Sequence, residues 1–388
     1  MIIKKIEIRN FRNYREECIE FDDRINLITG KNGQGKTNLI EAINLLSMAK
    51  SFRTRREQEM IREGTGGFSV KGYFEKGGRP HTVEVRLIDE GRGRRREYLV
   101  GGAEKSSVYD LLGGVYTIVF SPEDLAVVKG SPEARRRFLD REIILLRPLY
   151  YRKLKKYKDI LKSRNALLKE EAVNPALLSV YDEQLAKAGG ELIHLRVAYV
   201  RELEKVSAAC AAAITDGAET LSVKYRAGVL PEEMNRELGE EETGREGGAP
   251  EALPDASVYE RLFMEKLERT RPRDLVTGST EFGPHRDDLA ISANGTDLRV
   301  YGSQGQQRTA ALALRLAERE MILRETGEPA ILLLDDVMSE LDLSRQKRIL
   351  SGFSENQVFI TAAEWGGRGE IAGKTIRIEN GAQQLPMQ

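Results

Sequence analysis

The sequence predicts an α/β protein in which a mixed-sheet part is interrupted by a helical insertion. Three observations carry this prediction. A strand, a glycine-rich loop and a helix follow one another around residue 30, and the fully apolar run AILLL near residue 332 has the composition of a buried parallel strand. Between them, residues 133–213 show helical spacing of their apolar residues.

The composition is that of a well-ordered protein without a membrane span. With 388 residues, 40% hydrophobic and 31% charged, the chain is long enough for two domains or for one large domain with an insertion. The N-terminal segment lacks the apolar core of a signal peptide, and no run of about 18 apolar residues occurs. Cys18 and Cys210 lie far apart without CxxC spacing, which argues against disulfides or zinc and favours the reducing cytoplasm.

The net charge of zero is a cancellation between two segments. Residues 131–170 carry 13 Lys and Arg against 5 Asp and Glu, a net charge of +8, whereas residues 231–260 carry 2 against 10, a net charge of −8. A basic segment can bind polyanions, and an acidic segment can repel them or contact a basic partner.

The N-terminal third reads as strands around the glycine loop and its helix. Short strand-like runs at residues 2–8 and 25–28 flank the polar RNFRNYREE, which predicts an N-terminal hairpin or meander. After the loop, NLIEAINLLSMAK has apolar residues at helical spacing. Residues 68–100 alternate apolar and polar residues, which predicts an antiparallel sheet.

The middle of the chain reads as helical and basic. One amphipathic helix has the apolar stripe Tyr150, Leu154, Tyr157, Leu161 and Leu168, with lysines and arginines off the stripe. Residues 240–256, rich in Gly, Pro and Glu, are expected to form a mobile loop or an unstructured bridge.

The last third returns to strands. A helix after residue 257 is followed by TEFGPHRDDLAI, a strand-like TDLRV, a long helix over residues 304–324, the AILLL strand and a final strand, QVFIT. We therefore divide the chain into an N-terminal part of a sheet domain (1–130), an inserted helical arm (131–272) and the C-terminal part of the sheet domain (273–388).

The stretch GKNGQGKT matches the pattern G-x-x-x-x-G-K-[ST] and lies between a strand and a helix, the context that the pattern requires. Glycines let backbone N–H groups turn around phosphates, Lys36 is expected to hold the β and γ phosphates of ATP, and Thr37 is expected to ligate Mg²⁺. The predicted nucleotide-binding residues of this stretch are Gly30, Lys31, Asn32, Gly33, Gln34, Gly35, Lys36, Thr37 and Asn38. The alternative is a glycine-rich turn that only caps a helix.

Two carboxylates end the AILLL strand. An acid at the carboxyl end of a strand can reach Mg²⁺ opposite a phosphate loop, so Asp335 is the expected metal-side acid. Asp336 then stands where a base or a water-positioning residue is needed, and with Lys36 it is a predicted catalytic residue. The alternative is a strand that ends in solvated acids.

The stretch SQGQQ begins the long helix near residue 304. Ser303 is well suited to be an ordinary N-cap. The functional alternative is a second helix start that faces a phosphate, with Ser303, Gln304 and Gly305 as nucleotide-binding residues. Because this chain already has a phosphate loop, that nucleotide would belong to another subunit.

The phosphate loop, SQGQQ, LLLDD and SELD (residues 339–342), in this order and with about 260 residues between the first two, resemble the ABC-type ATPase heads of the SMC family. The resemblance is closest to members with a compact helical arm in place of a long coiled coil. Three further stretches resemble those members: IRNFRNY, FSPEDLAVVKGSPEARRRFLD and GPHRDDL.

The chain departs from ABC heads in general at two places. Asp336 stands where they have a glutamate, and FITAAEW lacks the switch histidine. Thr361 and Glu364 are therefore the candidates for sensing the γ-phosphate.

The resemblance implies an ABC-type P-loop ATPase head, with an antiparallel N-terminal sheet and an inserted compact arm, that binds ATP and Mg²⁺. It implies a homodimer that closes on ATP, binds double-stranded DNA near single-stranded gaps and promotes recombinase loading in DNA repair and replication and in the SOS response to DNA damage. Hydrolysis would be weak, DNA-stimulated and slow, acting as a release switch. The implied partner is RecR, and the implied location is the cytoplasm, away from membranes.

Two other functions share some of these motifs. The nucleotide-binding subunit of a transporter has the same motifs, but the wide separation of GKNGQGKT from SQGQQ and the basic helix argue against it. A small-molecule kinase with a phosphate loop leaves SQGQQ and SELD unexplained.

For several basic or aromatic residues, a structural role is the alternative to a functional one. Arginines 92, 94 to 96 and 135 to 137 and the lysine-rich helix could form a phosphate-binding face, although basic runs are usually solvated. His285 is expected to be a structural hydrogen-bonding residue and Trp365 a packing residue.

Overall fold

The computed structural model describes residues 1–91, 93–237, 253–337, 352–363 and 373–384. The chain forms two compact units, the first made of Met1–Asp124 with Glu318–Gln388 and the second of Leu125–Ala317. The second unit includes residues 273–317, which we assigned to the sheet domain, because a strand at Asp288–Ala293 pairs with one at Leu221–Arg226. The functional division at residues 130 and 272 stays a prediction, since compactness divides a chain by a different criterion.

The predicted elements occur in the predicted order, but the structure adds strands at Leu221–Arg226, Lys374–Glu379 and Ala382–Gln384, so QVFIT is not the final strand. The strands are β1 Ile2–Phe11, β2 Tyr14–Glu20, β3 Ile25–Thr29, β4 Gly67–Lys76, β5 Arg79–Asp89, β6 Arg94–Val100, β7 Ala103–Lys105, β8 Thr117–Phe120, β9 Leu221–Arg226, β10 Asp288–Ala293, β11 Thr296–Asp297, β12 Ile331–Leu334, β13 Val358–Ala362, β14 Lys374–Glu379 and β15 Ala382–Gln384. The helices are α1 Lys36–Met48, α2 Leu125–Lys129, α3 Pro132–Leu146, α4 Leu149–Leu167, α5 Pro175–Thr215, α6 Glu232–Glu237, α7 Ala256–Thr277 and α8 Gln304–Thr326.

One sheet of the first unit is antiparallel, with strand order β2-β1-β4-β5-β6-β7. Strands β1 and β2 form an N-terminal hairpin, but its second strand starts within the stretch that we expected to separate the strands, and residues 25–28 belong to the other sheet as part of β3. In β4, every second residue from Phe68 to Phe74 is buried, and Phe68 and Val70 pair with Leu87 and Val85 of β5. The alternation in the sequence therefore gives one apolar face, as predicted for residues 68–100.

The other sheet of the first unit has the order β15-β14-β3-β13-β12-β8. Its strands are parallel except for the antiparallel edge strand β15. All four residues of β12 are buried, which confirms the prediction of a buried parallel strand. Because carboxyl ends of parallel strands meet at one edge, the loop after β3 and the residues after β12 lie side by side.

Helix α1 lies between the two sheets of the first unit. On one side, Gly72 of β4 makes room for Leu46, since a Cβ at that glycine would lie 2.5 Å from Leu46 Cδ1. On the other side, Asn44 Nδ2 donates to Thr117 Oγ1 of β8 at 2.9 Å. This burial on both faces fixes the direction of the helix that starts at the glycine loop.

The second unit consists of helices α2 to α7, the start of α8 and a three-stranded sheet of order β11-β10-β9. The long helix α5 packs closely on α7, because a Cβ at Gly190 would lie only 2.6 Å from Glu260 N. The predicted strand TDLRV is shorter than expected: β11 ends at Asp297, and Tyr301 N then donates to Asp297 O in a turn. Residues 240–252, most of the predicted mobile loop, lie outside the described residues.

The stripe of α4 is buried in part as predicted. Tyr150, Leu154 and Tyr157 are buried, but Leu161 is only half-buried and Arg164 takes a fully buried position in its place. Arg164 Nε donates to Asp182 at 2.6 Å and its Nη1 donates to Asp274 at 2.8 Å, so the guanidinium compensates two buried carboxylates.

We expect Arg164→Leu to lower the free energy of unfolding by about 3–5 kcal/mol, because removing one member of a buried ion cluster leaves charges uncompensated. The matched control is Arg273→Ala in α7. The Arg273 side chain is 71% exposed and pairs with Glu281 at 3.1 Å, so its loss should cost less than about 1 kcal/mol. Urea unfolding followed by circular dichroism measures both, and equal effects would contradict the prediction.

Within the described ranges, no helix is both long and apolar enough to cross a membrane.

Candidate functional site

The glycine loop joins the end of β3 to the first residue of α1. Gly30, Gly33 and Gly35 have φ values of 148°, 80° and 116°, a region that other residues rarely adopt. Space also requires glycine, because a Cβ at Gly30 would lie 2.2 Å from Ile378 O and one at Gly35 would lie 2.8 Å from the Asn13 amide. Helix α1 starts at Lys36, and its N-cap Gly35 provides no side-chain cap; the first turn has no acidic residue, so the N-terminus is suited to an anion.

Lys36 lies over this loop. Its Nζ donates to Gly30 O at 2.6 Å and to Lys31 O at 3.1 Å. Desolvation lowers the pKa of Lys36, although the carboxylates of Asp336 and Asp335 act in the opposite direction. The loop thus holds a partly desolvated cation that an incoming phosphate would compensate.

Thr37 and Asp335 meet although they are 298 residues apart. Thr37 Oγ1 donates to Asp335 Oδ1 at 3.0 Å, and Thr361 Oγ1 donates to the same oxygen at 2.8 Å. Burial raises the pKa of Asp335, a residue that is only 7% exposed. A hydroxyl beside a buried carboxylate fits the oxygen ligands that Mg²⁺ takes together with phosphates.

Asp336 differs from its neighbour in conformation and exposure. Its φ is 56°, in the left-handed region, and its side chain is exposed. Its backbone N–H donates to Thr361 Oγ1 at 2.9 Å, so Thr361 fixes both acids at the end of β12. The base role of Asp336 and the sensing role of Thr361 remain predictions.

Asn13 is a supporting residue that our sequence analysis did not identify by itself. Asn13 Nδ2 donates to Gln34 O at 2.9 Å, and Asn38 Nδ2 donates to Asn13 Oδ1 at 2.8 Å. Asn380 N also donates to Gln34 Oε1 at 2.6 Å. Asn13 lies in the IRNFRNY stretch between β1 and β2, so this stretch clamps the loop.

A buried acid in α1 was also missed. Glu41 is fully buried and accepts two hydrogen bonds from Arg12, at 2.9 Å and 2.7 Å, and one from Ser51 Oγ at 2.5 Å. The sequence held one signal for this pair, a glutamate among the apolar residues of a helix. A glutamate at such a position is seldom buried without a basic partner. The pair anchors the helix to the N-terminal hairpin.

Ser303 caps α8 in the second unit. Gln306 N donates to Ser303 Oγ at 3.2 Å, and Ser303 N donates back to Gln306 Oε1 at 3.0 Å, which is a reciprocal capping box. Residues 303–305 are exposed. The N-cap interpretation is therefore confirmed, and the role of Ser303, Gln304 and Gly305 toward a nucleotide of another subunit stays a prediction.

Several arginines predicted as a phosphate-binding face are instead paired with acids. Arg94 and Arg95 contact Asp89 and Glu90 at 3.4 Å. Arg96 contacts Glu57 at 2.5 Å. These ion pairs are partly exposed and therefore weak, so a phosphate-contacting role of the three arginines stays a prediction.

His285 is a structural residue, as expected. Its Nδ1 lies 2.7 Å from Tyr157 OH and its Nε2 lies 3.1 Å from Thr280 O, and burial lowers its pKa to about 4. Four other predicted features, Arg92, the SELD stretch, Glu364 and Trp365, lie outside the described residues.

The chain matches known proteins over nearly its whole length. The family model for the RecF/RecN/SMC N terminal domain matches residues 2–366. The DNA replication and repair protein RecF of Clostridioides difficile (strain 630) is 38% identical over 380 residues, which are 98% of this chain and 96% of that protein. RecF of Halothermothrix orenii is 38% identical over 383 residues, 97% of this chain and 96% of that protein.

Solved structures of a RecF protein and of an SMC head also match this chain. A structure of the recombination mediator protein RecF with ATP, in the RecFOR pathway, matches with a TM-score of 0.87 at 34% identity, covering 99% of this chain and 97% of that one. An SMC head bound to the C-winged helix domain of ScpA has a TM-score of 0.52 at 16% identity, covers 99% of this chain and 97% of that one, and shows the fold alone.

The match extends through the helical insertion, so the transporter alternative is not favoured, and the predicted fold class is confirmed. The chain has the fold of an SMC-type ATPase head with a helical arm, and its sequence is 38% identical to a RecF protein over nearly its whole length. The chain therefore belongs to the RecF family of DNA replication and repair proteins.

Proposed function

We propose that this protein is an ATP-binding mediator of recombinational DNA repair and replication. The observation that carries the proposal is the meeting of Thr37 Oγ1 and Asp335 Oδ1 at 3.0 Å beside the uncapped start of α1. A solved relative at this level of similarity is described as RecF-ATP, a recombination mediator. The same site in this chain has the loop, the cation and the acid that a nucleoside triphosphate requires.

Different residues of the site would bind the phosphates and the Mg²⁺ of ATP. Backbone N–H groups of residues 30–38 and the start of α1 would bind phosphate oxygens, and Lys36 would exchange its bonds to Gly30 O and Lys31 O for bonds to the β and γ phosphates. Thr37 and Asp335 would hold Mg²⁺, which neutralises phosphate charge when bound.

The dimer is the second element of the proposal. We propose that ATP closes two copies around two nucleotides, each held by the phosphate loop of one copy and by Ser303, Gln304 and Gly305 of the other. Support comes from the exposure of residues 303–305 at the start of α8, where backbone N–H groups can reach an anion. A twofold dimer of this kind has two equivalent sites.

DNA and protein partners follow from the same proposal. The closed dimer would hold double-stranded DNA near single-stranded gaps, act with RecR and promote recombinase loading in the cytoplasm. Hydrolysis would be weak and DNA-stimulated, and it would open the dimer, so its slow rate would set the lifetime of the DNA-bound state. The net charge of +8 on residues 131–170 supports a polyanionic partner.

Sedimentation velocity with ATP, with ADP and without nucleotide, each with and without a short DNA duplex, tests the proposal. We expect a monomer that becomes a dimer with ATP but not with ADP, because a ligand shifts an equilibrium only through its differential affinity. DNA should co-sediment with the ATP form. A protein that turns over ATP as a monomer and ignores DNA would contradict the proposal and favour a small-molecule kinase.

We expect Asp336→Asn to slow ATP hydrolysis by at least about 100-fold while changing ATP affinity little, because a carboxylate that orients water acts mainly in the transition state. Single-turnover hydrolysis and equilibrium binding of ATP measure the two effects separately. Collapse of binding with unchanged turnover per bound ATP would assign the metal role to Asp336 and the base role to Asp335.

A further inference from the structure

The second unit contains a cavity of about 330 Å³ that the proposed ATP site does not use. It lies between α3 and α4. Arg136 and Arg137 of α3 and Lys158 of α4 line it, and Pro284 and His285 contribute from the loop before β10. The cavity therefore joins SPEARRRFLD and GPHRDDL, two stretches that neither the phosphate loop nor SQGQQ explains.

Ion pairs and hydrogen bonds lock these two stretches together. Arg135 donates to both oxygens of Asp288, at 2.6 Å and 2.8 Å, and is only 2% exposed. Arg136 Nη1 donates to Asp287 O at 2.7 Å. Arg135 therefore has a structural role, which corrects its assignment to a phosphate-binding face. Arg136 is held at the cavity and still has guanidinium N–H donors available for a ligand.

Arg137 and Lys158 have a different environment. Both side chains line the cavity and both residues are exposed. Within the described part of the chain, no carboxylate lies at ion-pairing distance from either residue, whereas Lys153 on the same helix pairs with Glu191. These two cations can therefore serve a ligand without breaking an existing ion pair.

The inner wall of the cavity adds little free charge. Arg196 is buried and its Nη2 donates to Asp140 at 2.7 Å, while its Nη1 donates to Pro284 O at 2.6 Å. The pKa of about 4 keeps His285 neutral at pH 7. The lining acids are Glu133 and Asp140, against the four cations Arg136, Arg137, Lys158 and Arg196, so the lining carries a net charge of +2.

The positive charge continues beyond the cavity along α4. The helix has seven lysines and arginines and one acid, Asp159. Lys155, Lys158 and Lys162 recur at spacings of three and four residues, so they share one face and span about 10 Å along the axis. This span covers about three phosphates of one DNA strand at roughly 3.4 Å each along the duplex axis. A free nucleotide would fill only the cavity, whereas a DNA backbone would use the whole face.

We propose that Arg136, Arg137 and Lys158 form a subsite for a phosphate of the DNA backbone, with Lys155 and Lys162 contacting neighbouring phosphates. The proposal rests on the DNA-binding function proposed above and assigns that function to a defined place. A backbone contact positions the duplex and carries no sequence information, so its loss should weaken binding to all sequences alike.

Salt dependence of binding tests the subsite directly. A short labelled duplex is titrated with the full chain at several salt concentrations, with fluorescence anisotropy as the readout. We expect Arg137→Ala and Lys158→Ala each to reduce the slope of log K against log salt by about 1, and the double variant by about 2. The control Lys187→Ala removes an exposed lysine of α5 that does not line the cavity, and we expect its slope to equal that of the unmodified chain.

A second measurement uses the unmodified chain, so its result does not depend on whether a variant folds. Acetylation of lysines, quantified by mass spectrometry, should fall at Lys158 but not at Lys187 when duplex is added. Protection of Lys158 by inorganic pyrophosphate but not by duplex would overturn the DNA assignment in favour of a small mobile phosphate. Unchanged salt slopes in the variants would overturn this subsite alone, whereas failure of the unmodified chain to bind duplex would overturn the proposed function as well.

Discussion

Lys36→Ala is expected to abolish ATP binding in practice, and with it hydrolysis and ATP-dependent dimerisation. The Lys36 ammonium is already partly desolvated, and among the described residues it is bonded only to backbone carbonyls, at 2.6 Å and 3.1 Å, so it reaches phosphates without breaking an ion pair to any of them. Losing one partner of a close charge pair costs about 2–5 kcal/mol, which corresponds to a Kd raised about 30-fold to several thousand-fold. Equilibrium binding of a fluorescent ATP analogue measures the change.

The fold should survive this substitution. Desolvation lowers the pKa of Lys36, which means that burying its charge costs free energy in the folded state, and alanine removes that cost. We therefore expect the thermal midpoint to change little. The matched control is Arg24→Ala, which removes an exposed cation just before the start of β3, away from the loop. ATP affinity retained in Lys36→Ala, or lost equally in the control, would contradict the assignment.

The parts of the site that the sequence predicted are those with local signals. A strand, a glycine loop and a helix predicted where Lys36 and Thr37 lie, and a buried apolar run that ends in two acids predicted where Asp335 lies. Parallel pairing then brings these ends together, because β13 joins β3 on one side and β12 on the other. Here sequence order and sheet geometry leave little freedom.

The parts that the sequence did not predict depend on pairs of distant side chains. Three consecutive arginines look alike in the sequence, yet one is a buried partner of Asp288, one binds a backbone carbonyl and one is exposed at a cavity. Asn13 gives no local sign that its amide will clamp Gln34 O across 21 residues. Tertiary packing determines these hydrogen-bond and ion-pair partners, and neither composition nor periodicity predicts them.

The start of α8 shows why a single motif can carry two interpretations. The capping box of Ser303 and Gln306 satisfies the backbone N–H groups of these two residues, so the cap does not by itself require a ligand. A test of the proposed dimer must therefore change the charge at this position and keep the cap.

Ser303→Asp and Ser303→Asn meet that requirement. Aspartate and asparagine cap helices as well as serine does, so both variants should keep α8 intact. They differ by one negative charge, which in the proposed dimer would face the phosphates of the partner's ATP. We expect Ser303→Asp to bind ATP through its own loop yet stay monomeric and inactive, and Ser303→Asn to retain most ATP-dependent dimerisation, both followed by sedimentation velocity.

Mixing subunits then decides whether the two predicted site halves come from different copies. Neither Ser303→Asp nor Lys36→Ala should dimerise or hydrolyse ATP alone. In a mixed dimer, Lys36 of the first subunit and Ser303 of the second form one intact site, while the opposite site carries both defects. We therefore expect the mixture to recover ATP-dependent dimer and part of the hydrolysis. Mixtures as inactive as their components, or dimerisation of Ser303→Asp equal to that of Ser303→Asn, would show that α8 does not face the nucleotide of a second copy.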